Sequence, residues 1–195
     1  MKIAVVKYNA GNIRSVIYAL KRLGIEPILT DDHDRLRSAD KVIFPGVGEA
    51  KNTMRYLQDK KLDQLIPSLK QPVLGICLGL QLMCKHSEEG DTKCMGIFDL
   101  EVKKFQGALK IPHIGWNSVE KLASPLFKHT KDGDYVYFVH SYYAALSEHT
   151  IATTNYIQPF SSALHRDNFY AMQYHPEKSG SVGAQMLQSF LEIGS

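Results

Sequence analysis

Short, continuously apolar runs alternate with helical patterns through the first half of the chain. Ile3 to Val6, Pro27 to Leu29, Lys41 to Phe44 and Val73 to Ile76 read as strands. Between the first two, Asn12 to Leu23 predicts a helix. Ile13, Val16, Ile17, Leu20 and Leu23 recur at helical spacing, and Gly24 stands just past the end. Pro45-Gly46-Val47-Gly48 breaks the third strand and leads into a helix near Lys51 to Lys60; another helix is predicted over Leu78 to Lys85. Strand–helix alternation of this kind implies a parallel sheet with crossover helices. Unbroken apolar strands suit such a sheet, because its strands are buried on both faces.

The rest of the chain reads differently. Leu100 to Lys103, Tyr135 to Val139, Thr150 to Asn155 and Phe169 to Gln173 are short strand-like runs, predicting mixed or antiparallel strands around the parallel core. Ser181 to Ile193 predicts a last helix, with Val182, Met186, Leu187, Phe190 and Leu191 on its apolar side. No repeat or linker divides the sequence, so the expectation is an α/β fold in a single domain over 1–195.

Composition narrows the function classes. A net charge of +3 is too small for a nucleic-acid binder, which needs a concentrated basic face. The N-terminus runs directly into a strand-like segment, without a signal-peptide pattern, and no stretch approaches the roughly 18 apolar residues of a membrane span. The three cysteines, Cys77, Cys84 and Cys94, form no C-x-x-C pair, which argues against a disulfide framework or structural zinc. A cytoplasmic setting, with thiols kept reduced, is the expectation. His33, His86, His129, His149 and His165 lie in polar surroundings and read as surface. A metal trio of His113, His140 and His175 lacks close ligand spacing, and neither metal nor cofactor is expected.

Gly75-Ile76-Cys77-Leu78-Gly79 follows an apolar strand and opens a helix, a cysteine version of the G-x-S-x-G elbow. A side chain at the tip of such a turn sits in strained backbone, and glycine two positions to either side relieves the crowding. The turn also places Cys77 at the start of a helix, where free N–H groups favour a thiolate. That matters because a thiol of pKa ~8.5 is only about 3% ionised at pH 7. Cys84, seven residues on, reads as core, and Cys94 has no partner that the sequence names.

Gln173-Tyr174-His175-Pro176-Glu177 closes the run from Phe169. Proline biases His175 toward extended backbone, where residues two apart share a side. His175 and Glu177 can then face each other, the carboxylate holding one ring nitrogen and leaving the other for a thiol.

Residues 73–82, the His-Pro-Glu segment and Pro45-Gly46-Val47-Gly48 resemble, in that order, the nucleophile segment, the base segment and the oxyanion loop of class I (triad) glutamine amidotransferases. A narrower resemblance joins 8–15, Pro112-His113-Ile114-Gly115-Trp116-Asn117, Phe138-Val139-His140-Ser141-Tyr142-Tyr143 and Glu177-Lys178-Ser179 to the glutaminase subunits of imidazole glycerol phosphate synthase. The resemblance implies a three-layer fold and a triad of Cys77, His175 and Glu177. Oxyanion donors are then expected at Leu78 and within Val47-Gly48, and glutamine contacts at Gln81, Ser141 and Tyr142. It further implies a heterodimer with a (β/α)8-barrel cyclase, HisF, met around Asn12, Trp116 and Lys178. Ammonia passed to that partner would convert the ribulosyl intermediate PRFAR to imidazole glycerol phosphate and AICAR. Other readings stay open at this point: a triad glutaminase of another pathway, such as sugar modification, a cysteine hydrolase, or a non-catalytic scaffold subunit.

Overall fold

A computed structural model describes residues 1–8 and 13–194. Its main sheet has seven strands. In spatial order they are Thr150–Tyr156, Gln158–Arg166, Phe169–Met172, Val73–Ile76, Lys41–Phe44, Ile3–Val6 and Ile28–Thr30. The last five pair in parallel, and the first two extend the sheet antiparallel. The expected parallel core with antiparallel additions is therefore what forms. Four further strands make a side sheet, and His113–Ser118 pairs with Tyr135–His140 as a separate antiparallel ribbon.

The continuous apolar strands divide their side chains between two cores, as a pleat requires. Ile3, Val5, Ile43, Leu74 and Ile76 face one layer, which also holds Val16 and Leu20 of the helix Ile13–Arg22 and Met186, Leu187 and Phe190 of the helix Gly180–Glu192. Ala4, Val6, Val42, Phe44 and Val73 face the other layer. There they meet Met54 and Leu57 of Ala50–Asp59, Leu65 and Ile66 of Leu62–Ser68, and Leu80 and Leu82 of Leu78–Met83. This is the three-layer arrangement.

The predicted helix over Leu78 to Lys85 is shorter than expected. It ends at Met83, and Cys84 caps it with its N–H bonded to the Gln81 carbonyl. Cys84 is core, as expected, and Cys94 is also buried despite its polar neighbours. Asn12, the predicted start of the first helix and an expected partner contact, lies outside the described residues.

Two close approaches lock the turn at Cys77 into the sheet. A Cβ on Gly79 would strike the carbonyl oxygen of Phe44, and one on Gly75 would lie 2.9 Å from the Met83 sulfur and 3.0 Å from the Gly79 carbonyl carbon. The two glycines thus let the helix sit directly on its own strand and its neighbour.

Candidate active site

Cys77 stands between the strand Val73–Ile76 and the helix Leu78–Met83 with φ 53° and ψ −107°. A non-glycine residue in that region costs about 1–3 kcal/mol and persists only when its surroundings over-determine it. Here they do: its N–H donates to Met172 O at 2.7 Å, and its carbonyl accepts from Gln81 N at 3.3 Å. The strain turns the side chain out of the sheet and onto the floor of a cavity of about 310 Å³.

His175 reaches the same floor from the end of the strand Phe169–Met172. Its Nδ1 lies 2.8 Å from Glu177 Oε1, with both side chains nearly inaccessible, at 2% and 1% exposure. Cys77 lines the same cavity and stands close enough to the imidazole to act on its charge. The expected triad therefore meets, though not by the expected backbone. Pro176–Lys178 forms a 3-10 turn rather than an extended run, and that turn folds Glu177 back behind the ring. Burial works against charge on His175. The negative sulfur of Cys77 and the Glu177 carboxylate outweigh it and push the imidazole up to about 10.

Val47, Gly48, Leu78, Gln81, Ser141, Tyr142 and Lys178 all line this cavity together with Cys77 and His175. Leu78, an expected oxyanion donor, is already engaged: its N–H donates to the Gly46 carbonyl at 3.2 Å. The Gly46–Val47 peptide thus presents its oxygen to the turn that carries Cys77. Tyr8 donates its hydroxyl to the neighbouring Pro45 carbonyl and anchors the loop. A Cβ on Gly46 would collide with that hydroxyl and come within 2.9 Å of Leu78 Cβ, so only glycine lets the loop pass.

Trp116 lies away from the cavity, on the outer face of the ribbon. It is 55% exposed rather than packed in the core, with Ile114 at 55% and Tyr135 at 59% beside it. Tyr137 contacts Trp116 edge-on at 5.9 Å, and the Lys178 ammonium stands 5.9 Å over the Tyr137 ring. Trp116 and Lys178 thus share one apolar surface next to the cavity mouth.

Sequence reasoning missed Glu89. It stands in no motif, yet its carboxylate lines the cavity, with Oε2 accepting the Ala50 N–H at 2.7 Å. Burial raises its pKa above the ordinary glutamate value. No local pattern marks it, because the turn is brought to the cavity by the side sheet. Among the expected surface histidines, His86 is only partly exposed, gripped by Glu101 at 2.9 Å and Asp91 at 2.8 Å. His113 and His140 are buried and bonded to each other at 3.1 Å.

The sequence matches the class-I glutamine amidotransferase family over residues 4–193. It is 59% identical to the imidazole glycerol phosphate synthase subunit HisH of Bacteroides fragilis, an alignment covering 99% of this chain and 100% of that protein. The chain belongs to the HisH family of class-I glutamine amidotransferases. HisH of Pectobacterium atrosepticum is 45% identical over the same shares of both chains. Among solved structures, PurLQS of Thermotoga maritima has the same fold at a TM-score of 0.70, with 17% identity over 100% of this chain and 99% of that one. Membership of this family makes the chain a glutamine-hydrolysing enzyme. No helix among the described residues is long and apolar enough to cross a membrane.

Proposed function

We propose that this chain, as one domain over residues 1–195, is the glutaminase subunit of an imidazole glycerol phosphate synthase. Cys77 is the nucleophile, His175 the acid–base and Glu177 the group that orients it. The observation that carries the reading is the buried line from Glu177 Oε1 through His175 to the strained Cys77, opening on a cavity. A reducing cytoplasm suits an enzyme that works through a free thiol.

In this mechanism the Cys77 thiolate attacks the side-chain amide carbon of glutamine. The His175 imidazolium gives its proton to the departing nitrogen, which leaves as ammonia, and a glutamyl thioester remains. His175, now neutral, takes a proton from water as the oxygen attacks the thioester. Collapse releases glutamate and restores the thiolate beside the imidazolium. Glu177 keeps the Nδ1–H tautomer and steadies the charged ring. The oxyanion of each tetrahedral species is held by the N–H of Leu78 and by an N–H of the Val47-Gly48 segment. Gln81, Ser141 and Tyr142 border the bound substrate, and the Glu89 carboxylate is placed for its ammonium.

Ammonia passes to a (β/α)8-barrel cyclase, HisF, which uses it to turn PRFAR into imidazole glycerol phosphate and AICAR. The apolar surface of Ile114, Trp116 and Tyr135, rimmed by Lys178, is suited to that docking, since large exposed apolar groups gathered on one face mark interaction sites. Asn12 belongs to the same proposed contact. Labelling by a glutamine-analogue electrophile tests the site. One equivalent should attach, at Cys77 alone, and excess glutamine should prevent it; attachment elsewhere overturns the assignment.

Glu89→Gln is expected to raise KM for glutamine about 10- to 100-fold with little change in kcat, the loss of one charge-assisted contact. In the unaltered chain KM should climb on the acid side, because the raised Glu89 pKa means its carboxylate is protonated earlier than an ordinary glutamate as pH falls. The variant should lose that acid-side climb. An unchanged KM at neutral pH would remove Glu89 from substrate binding.

A further inference from the structure

Gln173 directly follows the strand Phe169–Met172 and is completely buried. The hydrolysis steps above make no use of it. A buried primary amide needs partners for both of its ends. Gln173 Oε1 lies 3.1 Å from Gln81 Nε2, and Gln173 Nε2 lies 3.8 Å from Cys77 Sγ, within reach of so large an acceptor.

The orientation of this amide is forced by a backbone carbonyl. Gln81 stands 3.0 Å from the carbonyl oxygen of Tyr142, which can only accept, so Gln81 must turn its NH₂ that way. The same NH₂ faces Gln173, which must therefore present its oxygen there. Its own NH₂ is left pointing at the sulfur. The Tyr142 carbonyl is itself held, accepting from His140 Nδ1 at 2.8 Å. His140 Nε2 is then an acceptor, taking the Nδ1–H of His113 at 3.1 Å. An anchored row of groups thus ends in one N–H directed at the nucleophile.

We propose that Gln173 is a further catalytic residue of this reaction, a neutral N–H donor on Cys77 Sγ that favours the thiolate and holds the sulfur facing the cavity. The proposal rests on Cys77 being the nucleophile. The sulfur needs such a donor because it also faces the Val139 carbonyl at 3.8 Å. A thiol can donate to that oxygen, whereas a thiolate meets only the negative end of its dipole. His175 changes protonation state during every turnover. Gln173 has no proton to lose, so its contribution stays constant through the cycle.

The test is the rate of iodoacetamide alkylation of the full chain as a function of pH, with the modified residue identified by mass spectrometry. Neither glutamine nor a partner is required. Background is low, since burial raises the thiols of Cys84 and Cys94, the latter to about 12, and Cys84 is completely enclosed. Gln173→Met removes the donor at similar volume. Below the midpoint of the curve its alkylation should slow about tenfold, as a thiol one pH step weaker would, while the alkaline plateau holds. Gln173→Glu keeps the bond from Gln81 but turns an acceptor on the sulfur, and its midpoint should move further in the same direction. If the Met variant fails to fold, the Glu variant, of the same shape, carries the test alone. A midpoint that stays put in a folded variant overturns the proposal, as does equal slowing at every pH, which would mean altered packing only. The nucleophile assignment fails separately, if full alkylation of Cys77 leaves glutamine hydrolysis intact.

Discussion

Cys77→Ala is expected to lower glutamine hydrolysis by about four orders of magnitude or more and leave the chain folded. Removing the nucleophile of a covalent mechanism costs nearly the whole advantage of the triad, as comparable knockouts do. No neighbouring group can take over. The other two cysteines are buried with raised thiol pKa values. Folding should survive, because the turn is set by backbone contacts that alanine keeps. Cys77 N still reaches Met172 O, and Gly75 and Gly79 still allow the close approach. The strained φ of 53° is retained with alanine, so the stability change should stay within the usual range for a point mutation, about 1 kcal/mol. Ammonia release measured beside circular dichroism checks both halves. Hydrolysis at the original rate by a folded Cys77→Ala chain would remove Cys77 from the chemistry.

The parts of this architecture that the sequence displayed are those buried on both faces. Ile3–Val6 and Val73–Ile76 begin and end where their apolar runs do, and Lys41–Phe44 differs only in its first residue, because neither face meets water and nearly every position selects an apolar residue. The strand Gln158–Arg166 was not legible. It carries Pro159, Ser161 and Ser162, and the two serines are buried; Ser161 bonds Thr150 and the Ala145 carbonyl, a local polar arrangement that hydrophobic periodicity does not register. The helix Leu62–Ser68 was hidden by Pro67, which the last turn tolerates. His113–Ser118 was hidden because its outer side chains, Ile114 and Trp116, are exposed and its register is set by pairing with Tyr135–His140. The site divides in the same way. Cys77, His175 and Glu177 stand in local patterns that their chemistry demands. Glu89 and the orientation of Gln173 depend on contacts between distant segments, 39 and 92 positions apart, which no window of sequence contains.

Adding the barrel cyclase together with its ribulosyl ligand is expected to raise the glutaminase rate about 10²- to 10³-fold, the worth of one oxyanion donor. The reason lies in one peptide. Leu78 N–H should meet the developing oxyanion but is bonded to Gly46 O at 3.2 Å, so the chain alone offers the transition state an acceptor where it needs a donor. Rotating the Gly46–Val47 peptide would free Leu78 N–H and turn the N–H of Val47 inward, replacing one repulsive dipole with two donors. The cost of that rotation is contained by the loop's own sequence: Gly46 has no Cβ to drag past Tyr8, and Gly48, at φ +141°, lies exposed at the surface. A partner seated on Trp116 and Lys178 would reach it directly, since Lys178 lines the same cavity as Val47 and Gly48 and is the immediate neighbour of Glu177. The gain should therefore fall on kcat, with KM for glutamine moving little, because Gln81, Ser141 and Tyr142, the proposed substrate contacts, already line the cavity. Steady-state ammonia release with and without cyclase and ligand measures this. A rate that does not respond, or a response confined to KM, would mean that the Gly46 carbonyl is not what holds the isolated subunit back.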